Sequence, residues 1–287
     1  MRVDLLAGSR HAMPAALLRR PPVILLFDSG LGGLTVLAEV ARARPDADIV
    51  YAADDAAFPY GRFSEESLST RVVAVMARLV ERFSPDLVVI ACNTASTLVL
   101  PALRARFAIP FVGTVPAIKP AVAASRSGLV SVLATPGTVA RDYTRSLVET
   151  YAEGCEVTLV GATGLAAIAE AALRGEPVSD AAIAAEIAPC FVARDGRRTD
   201  AVALACTHYP LLVERLRRLA PWPVAWIDPA PAIARRILQL IGPPTERPDA
   251  PEATAVFTGE APSGATRIAL AGRGLARVES EPFPLGV

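Results

Sequence analysis

Two of the four cysteines sit where a thiol could be held as a reactive thiolate. Cys92, in Cys92-Asn93-Thr94, follows the apolar run Leu87–Ala91 and precedes a helix predicted to begin near Ala95. A thiol there lies beside the positive end of the helix macrodipole, which favours the thiolate. Cys206-Thr207-His208 repeats the arrangement after Ala201–Ala205. Both stretches start from an acidic residue, Asp86 or Asp200, and run through five apolar positions to the cysteine. One such cysteine is most simply structural. A repeated one points to a functional pair. Cys155 and Cys190 have no matching motif and read as structural. No CxxC pair occurs, so neither a zinc ribbon nor a disulfide framework is indicated.

Other polar groups cluster just after apolar runs. Asp28-Ser29-Gly30-Leu31-Gly32-Gly33 follows the first run, and its glycines would let backbone amides approach a bound anion. Helix capping and a tight turn are the plainer role for the same glycines. Asp28 could accept a substrate ammonium. The G-x-G-x-x-G spacing of a dinucleotide site and the Gly-Lys-Ser/Thr of a phosphate loop are both absent. Asp54 to Gly61 forms an acidic-to-aromatic loop after the second run, with Tyr60 and Gly61 placed to touch a ligand. The two histidines are His11 and His208, too few for a transition-metal site. There is no G-x-S-x-G for a serine hydrolase. A cysteine hydrolase using Cys92 and His208 would leave Cys206 without a task.

These residues need elements to hold them. Val23–Phe27, Ile49–Ala53, Leu87–Ala91, Val130–Leu133, Val157–Val160, Ala201–Ala205 and Val224–Ile227 read as buried strands. Between them Leu34–Ala43, Ser67–Phe83, Thr138–Tyr151, Ala181–Ala193 and Leu211–Leu219 read as helices. That alternation predicts an α/β fold with mostly parallel sheets flanked by helices, and ligands at the carboxyl ends of the strands. The echoed cysteine turns predict two similar domains with the active site in the cleft between them. The expected division is 22–114 plus 225–287 for the first domain and 115–224 for the second. Residues 1–21 are expected to be a disordered extension, with Met13 an alternative start. In the tail, Ile241–Pro251 reads as a loop, and Ala255–Thr258 and Arg267–Leu270 as strands.

Bulk composition narrows the partners. Lys+Arg and Asp+Glu both total 29, which argues against a nucleic-acid scaffold. Hydrophobic residues make up 52% of the chain, but no run approaches the ~18 apolar residues of a membrane span. A cytoplasmic enzyme with a small-molecule substrate, no nucleic acid and no membrane is expected, assembled as a homodimer.

Taken together, the motifs resemble a known family. Phe27–Gly33, Pro59-Tyr60-Gly61, Ala91–Ser96, Ala134-Thr135-Pro136-Gly137-Thr138 and Ala205–Pro210, in that order, closely resemble the glutamate racemases of the aspartate/glutamate racemase superfamily. The resemblance runs from about Val23 through the second half of the chain. It implies two α/β domains enclosing glutamate between two cysteines, with no cofactor and no metal. Cys92 and Cys206 would be the acid–base pair, with Asp28, His208 and Glu170 assisting. Binding would fall to Asp28, Ser29, Tyr60, Gly61, Asn93, Thr94, Thr135, Thr138, Thr207 and His208. Glu170 is the nearest match to the family glutamate that helps the second thiol, and the sequence around it departs from the family pattern. The implied stereochemistry is Cys92 acting on the D-isomer and Cys206 on the L-isomer. The implied role is supply of D-glutamate for peptidoglycan. An aspartate or hydantoin racemase would share the paired cysteines, but Cys206-Thr207-His208-Tyr209-Pro210 favours glutamate.

Overall fold

The computed structural model describes residues 20–247 and 249–283. His11 and nearly all of the segment 1–21 lie outside the described residues. Within that segment Arg20 is engaged: its guanidinium pairs with Asp86 at 2.7 Å.

The chain divides into two units, one formed by residues 1–114 and 230–287 and the other by Val115–Pro229. The first begins β1 (Val23–Asp28), α1 (Leu34–Ala43), β2 (Asp48–Ala53), α2 (Glu65–Phe83), β3 (Leu87–Ile90), α3 (Asn93–Arg106) and β4 (Phe111–Gly113). The second contains α4 (Ile118–Ala124), β5 (Leu129–Ala134), α5 (Pro136–Val139), α6 (Asp142–Tyr151), β6 (Glu156–Gly161), α7 (Leu165–Leu173) and α8 (Asp180–Ile187). It continues through a short hairpin, β7 (Ala193–Arg194) and β8 (Arg197–Arg198), to β9 (Ala201–Ala205), α9 (Val213–Leu219) and β10 (Ala225–Ile227). The chain then returns to the first unit as α10 (Ala230–Ile241), β11 (Ala253–Phe257), α11 (Gly264–Ala271) and β12 (Arg277–Ser280).

Both main sheets are parallel throughout. The first has the order β12-β11-β2-β1-β3-β4 and the second β10-β9-β5-β6. Inner strands buried on both faces read as unbroken apolar runs, as β1 and β9 do. In the first unit Leu25, Phe27, Val88 and Ile90 meet Val72, Met76, Val99 and Leu103 from α2 and α3. In the second, Leu133 and Leu204 pack on Leu165, Ile183 and Leu216, while Val132 and Ala203 pack on Ile118 and Ala121. The order β2-β1-β3-β4 is reproduced as β6-β5-β9-β10, so β3 and β9, which lead to the two cysteines, are equivalent strands. The echoed acids do equivalent work at the opposite strand ends. Asp86 accepts Val23 N at 2.8 Å at the start of β1, and Asp200 accepts Ser127 N at 2.8 Å just before β5.

Several readings of the sequence differ from the structure; the predicted helix Ala181–Ala193, for one, ends as α8 at Ile187, and Ala193 lies in β7. β10 pairs with β9, so the return to the first unit falls after Pro229, five residues later than a boundary at 224. Thr138–Tyr151 is two helices, because Arg141 is extended (φ −72, ψ 134). Arg267–Leu270 belongs to α11 and is not a strand. Ser263 caps that helix, accepting Thr266 N at 3.2 Å, and Thr266 and Leu270 bury one turn apart. No helix among the described residues is long and apolar enough to cross a membrane.

A buried ion pair fastens the returning segment. Arg44 Nε and Nη2 each donate to Asp46 at 2.8 Å, and Nη1 donates to the Ile241 and Gly242 carbonyls at the end of α10. Desolvation pushes the Asp46 carboxyl up, but hydrogen bonds from Arg44 and Thr245 outweigh it and leave its pKa at about 2. A folded-state pKa below the unfolded one contributes stability above pH ~4, on the order of 2 kcal/mol, which is lost as pH falls through about 2. In denaturant titrations, the stability gap between the native chain and Asp46→Asn should therefore narrow from pH 4 to pH 2. A gap that does not change with pH would contradict this account.

Candidate active site

At the carboxyl edge of the first sheet, β1 ends in Asp28, fully buried, whose Oδ2 accepts Gly30 N at 3.1 Å. Tyr51 Oη donates to Gly30 O at 2.7 Å and fixes the turn. A Cβ on Gly33 would lie 2.9 Å from Asp28 Cβ. Only glycine lets α1 start this close to the carboxylate, so close approach explains this glycine.

Neighbouring β3 delivers Cys92 as the N-cap of α3, with extended backbone (φ −63, ψ 119). Its thiol donates to Ser29 Oγ at 3.6 Å and is 6% exposed. The fourteen-residue helix behind it directs its positive end toward the sulfur, favouring negative charge there. Asn93 and Thr94 follow, both buried. Among the described residues neither Oδ1 nor Nδ2 of Asn93 has a hydrogen-bond partner. A buried amide left unpaired is costly, and a polar ligand would satisfy it. From the end of β2, the loop carries Tyr60 and Gly61 in a short 3₁₀ turn, Tyr60–Arg62. Tyr60 is buried, with its hydroxyl on Asp54 at 2.6 Å; Gly61 is exposed, with open space where a Cβ would project.

At the carboxyl edge of the second sheet, Cys206, Thr207 and His208 follow β9, all buried. Here the echo is incomplete. A 3₁₀ turn, Tyr209–Leu212, comes next, and α9 begins only at Val213. Cys206 therefore caps no α-helix and relies on side chains. Its sulfur is 3.7 Å from His208 Nδ1, and His208 Nε2 is 3.0 Å from Glu170 Oε1 on α7. Arg174, the residue that caps the end of α7, approaches Glu170 Oε2 at 3.4 Å. Glu170, whose surrounding sequence departs from the family pattern, thus stands behind His208. The Tyr209 hydroxyl is also buried near Cys206. Burial first, then Cys206, holds it protonated well above the usual tyrosine pKa.

Beside β9, Thr135 follows the last residue of β5 and caps α5 by accepting Thr138 N at 3.3 Å. The Thr135 and Thr138 hydroxyls are 3.1 Å apart, and Thr138 is fully buried, so Thr138 orients the half-buried Thr135. Cys155 and Cys190 belong to neither motif. Burial pushes the Cys190 thiol up to about 12, which keeps it inert at neutral pH.

Each unit thus gathers its own half of the sequence-predicted residues at one sheet edge. The first brings together Asp28, Ser29, Cys92, Asn93 and Thr94, with Tyr60 and Gly61 on the adjoining loop. The second brings together Cys206, Thr207, His208 and Glu170, with Thr135 and Thr138 on the next strand. The sequence reading missed Arg71, whose guanidinium holds Asp54 and through it Tyr60. A signal existed: Arg71 falls on the buried stripe of α2 with Leu68, Val72, Val75 and Met76, where an unpaired charge would be intolerable.

Comparison with known proteins shows the family. Residues 28–237 match the family model described as Asp/Glu/Hydantoin racemase. A glutamate racemase of Brucella canis is 55% identical over 272 residues, covering 94% of this chain and 98% of its own length. One from Agrobacterium fabrum is 56% identical over 255 residues, covering 88% of this chain and 93% of its own. The crystal structure of Escherichia coli glutamate racemase in complex with L-glutamate and the activator UDP-MurNAc-ala superposes with a TM-score of 0.83 at 40% identity. That match covers 91% of this chain and 98% of the other. With the family model spanning most of its length and relatives this similar end to end, the chain belongs to the Asp/Glu/Hydantoin racemase family.

Proposed function

We propose that the protein is a glutamate racemase in which Cys92 and Cys206 work on opposite faces of the substrate α-carbon. The observation that carries this reading is the pair of cysteines at the ends of equivalent strands, β3 and β9, in two sheets of the same strand order. Inverting an α-carbon means removing a proton from one face and returning one to the other. Two thiols, one entering as thiolate and one as thiol, do this without turning the substrate over. Asp28 accepts its ammonium, and the unpaired Asn93 amide and the Thr94 and Thr207 groups hold its carboxylates. Preorganised donors of this kind stabilise the charge that develops when the α-proton leaves.

His208, backed by Glu170, serves Cys206, while the α3 N-terminus serves Cys92. Catalysis in this reading uses side chains alone, with no metal or organic cofactor. With that activity go a cytoplasmic location, a homodimeric assembly and the supply of D-glutamate for peptidoglycan.

Incubating the protein with L-glutamate in D₂O after dialysis against chelator tests the proposal directly. The expected result is D-glutamate carrying deuterium at the α-carbon, at the rate seen before dialysis. No exchange from either enantiomer of glutamate, with exchange from aspartate, would move the assignment to another racemase of the family. Activity lost on dialysis and restored by one metal or by pyridoxal phosphate would overturn the cofactor-free mechanism.

A further inference from the structure

Behind the Tyr60–Gly61 turn lies a saturated, buried carboxylate. Asp54, at the end of β2, is fully buried and accepts four hydrogen bonds. Oδ2 takes Tyr60 Oη at 2.6 Å and Arg71 Nε at 2.8 Å; Oδ1 takes Arg71 Nη2 at 2.6 Å and Thr258 Oγ1 at 2.6 Å. Arg71 Nη2 also reaches Phe283 O at 3.0 Å, and the guanidinium lies over the Phe283 ring, 5.3 Å from its centroid. Asp54 N donates to Asp28 O at 2.8 Å, which ties the network to the end of β1. The carboxylate is thus held by α2 and by the residue that follows β11, and Arg71 in turn by Phe283, the last described residue.

This arrangement fixes the chemistry left to Tyr60. An ionised carboxylate only accepts, so the Tyr60 proton points at Asp54 and is unavailable to a substrate carboxylate. Burial, and after it the charge of Asp54, hold the phenol protonated well above its usual pKa. Tyr60 therefore acts neither as a proton source nor as a donor to ligand. What its hydroxyl can do is hold the turn. Within that turn Phe63 N donates to Tyr60 O at 3.1 Å, and Gly61 presents open space.

We propose that Asp54 and Arg71 are positioning residues, which use the Tyr60 hydroxyl as an anchor to hold the Tyr60–Gly61 turn in the shape that receives glutamate. The inference rests on the reading of that turn as part of a glutamate site. A buried ion pair of this sort is weak in net stability, and its value lies in fixing one geometry. Holding a binding loop in shape contributes to substrate and transition state alike, so its loss raises KM more than it lowers kcat.

The test compares Tyr60→Phe, Asp54→Asn, Arg71→Lys and the double variant of the first two in the full-length chain. Tyr60→Phe removes one oxygen and leaves the ring packed, so it keeps the test usable if the charge variants fold poorly. Expected for each is a KM for glutamate raised about tenfold, with kcat within about threefold, and a double variant no worse than the worse single one. Amide hydrogen exchange over residues 58–63 should accelerate at least about tenfold without substrate, while β1 and β3 are unchanged. A purely structural role would lower Tm and the amount of active enzyme but leave KM where it was. Wild-type KM and exchange in Tyr60→Phe, or strictly additive effects of the pair, would overturn the proposal. A native chain inactive on glutamate would instead overturn the glutamate reading, and the exchange measurement would still decide whether the anchor exists.

Discussion

Replacing either active thiol by serine should abolish racemisation, a loss of at least about 10³-fold, yet leave half of the chemistry alive. A serine hydroxyl is a far weaker acid than a thiol of ordinary pKa ~8.5, so it supplies neither the base on its own face nor a ready proton for the other. The surviving half becomes visible with a glutamate analogue carrying chlorine on Cβ. Removal of its α-proton by a thiolate expels chloride from Cβ and leaves an enamine, which hydrolyses to 2-oxoglutarate and ammonium. No second proton transfer at the α-carbon is needed, so one thiol suffices. Cys92→Ser, retaining Cys206, should release chloride from the L-analogue alone, and Cys206→Ser from the D-analogue alone. Chloride release measured for both variants with both enantiomers gives four rates. The opposition between variants is the essential result; the pairing of each thiol with an isomer follows the family resemblance. Both variants eliminating from the same enantiomer would leave a one-base enzyme with a structural second cysteine.

Why the cysteine pair is legible in the sequence, while much around it is not, comes down to the range of the interactions. Parallel strands covered on both faces are apolar at nearly every position, so β1, β2, β3 and β9 stand out as short apolar runs, and β5 as one broken only by Ser131, whose hydroxyl donates to Cys190 O. The turn after such a strand is where the fold presents ligand groups, which makes Asp28, Cys92 and Cys206 visible with no coordinates. β12 is different: it is an edge strand, Arg277-Val278-Glu279-Ser280, half exposed and charged, and only its pairing with β11 reveals it. Arg267–Leu270 has the residues of a strand, but the cap at Ser263 and burial one turn apart decide for helix. α1, by contrast, keeps both its predicted ends because its apolar positions repeat at helical spacing.

Contacts between distant parts of the chain carry no local trace. Glu170 and His208 are 38 residues apart, and the sequence pattern around Glu170 is atypical, yet α7 brings it to 3.0 Å from the imidazole. Asp54 and Thr258 are 204 residues apart, joined because β2 and β11 are neighbours in the sheet. The incomplete echo has the same origin. The residues around Cys92 and Cys206 look alike, but one is followed by a long α-helix and the other by a 3₁₀ turn. The first thiol can draw on a helix end, and the second needs a histidine.

That difference leads to the second large effect. His208→Asn should lower kcat/KM for glutamate about 10²-fold, whereas Glu170→Gln should lower it about tenfold. The argument starts from the two ring nitrogens. With the Glu170 carboxylate 3.0 Å from Nε2, the neutral ring keeps its proton on Nε2 and turns the Nδ1 lone pair to the Cys206 thiol 3.7 Å away. When Cys206 ionises, its proton has a place to go, and the resulting imidazolium sits between a thiolate and a carboxylate. Asparagine cannot take that proton. Glutamine in place of Glu170 still accepts from Nε2 but loses the charge, about the strength of one charge-assisted hydrogen bond. Because L- and D-glutamate have equal free energy, kcat/KM must fall equally in both directions, so racemisation alone cannot say which thiol suffered. Elimination can. In His208→Asn, chloride release from the L-analogue, served by Cys206, should fall with racemisation, while release from the D-analogue, served by Cys92, stays within about twofold of the unmutated enzyme. An equal loss from both enantiomers would show that His208 supports the whole site, and would remove it as the specific partner of Cys206.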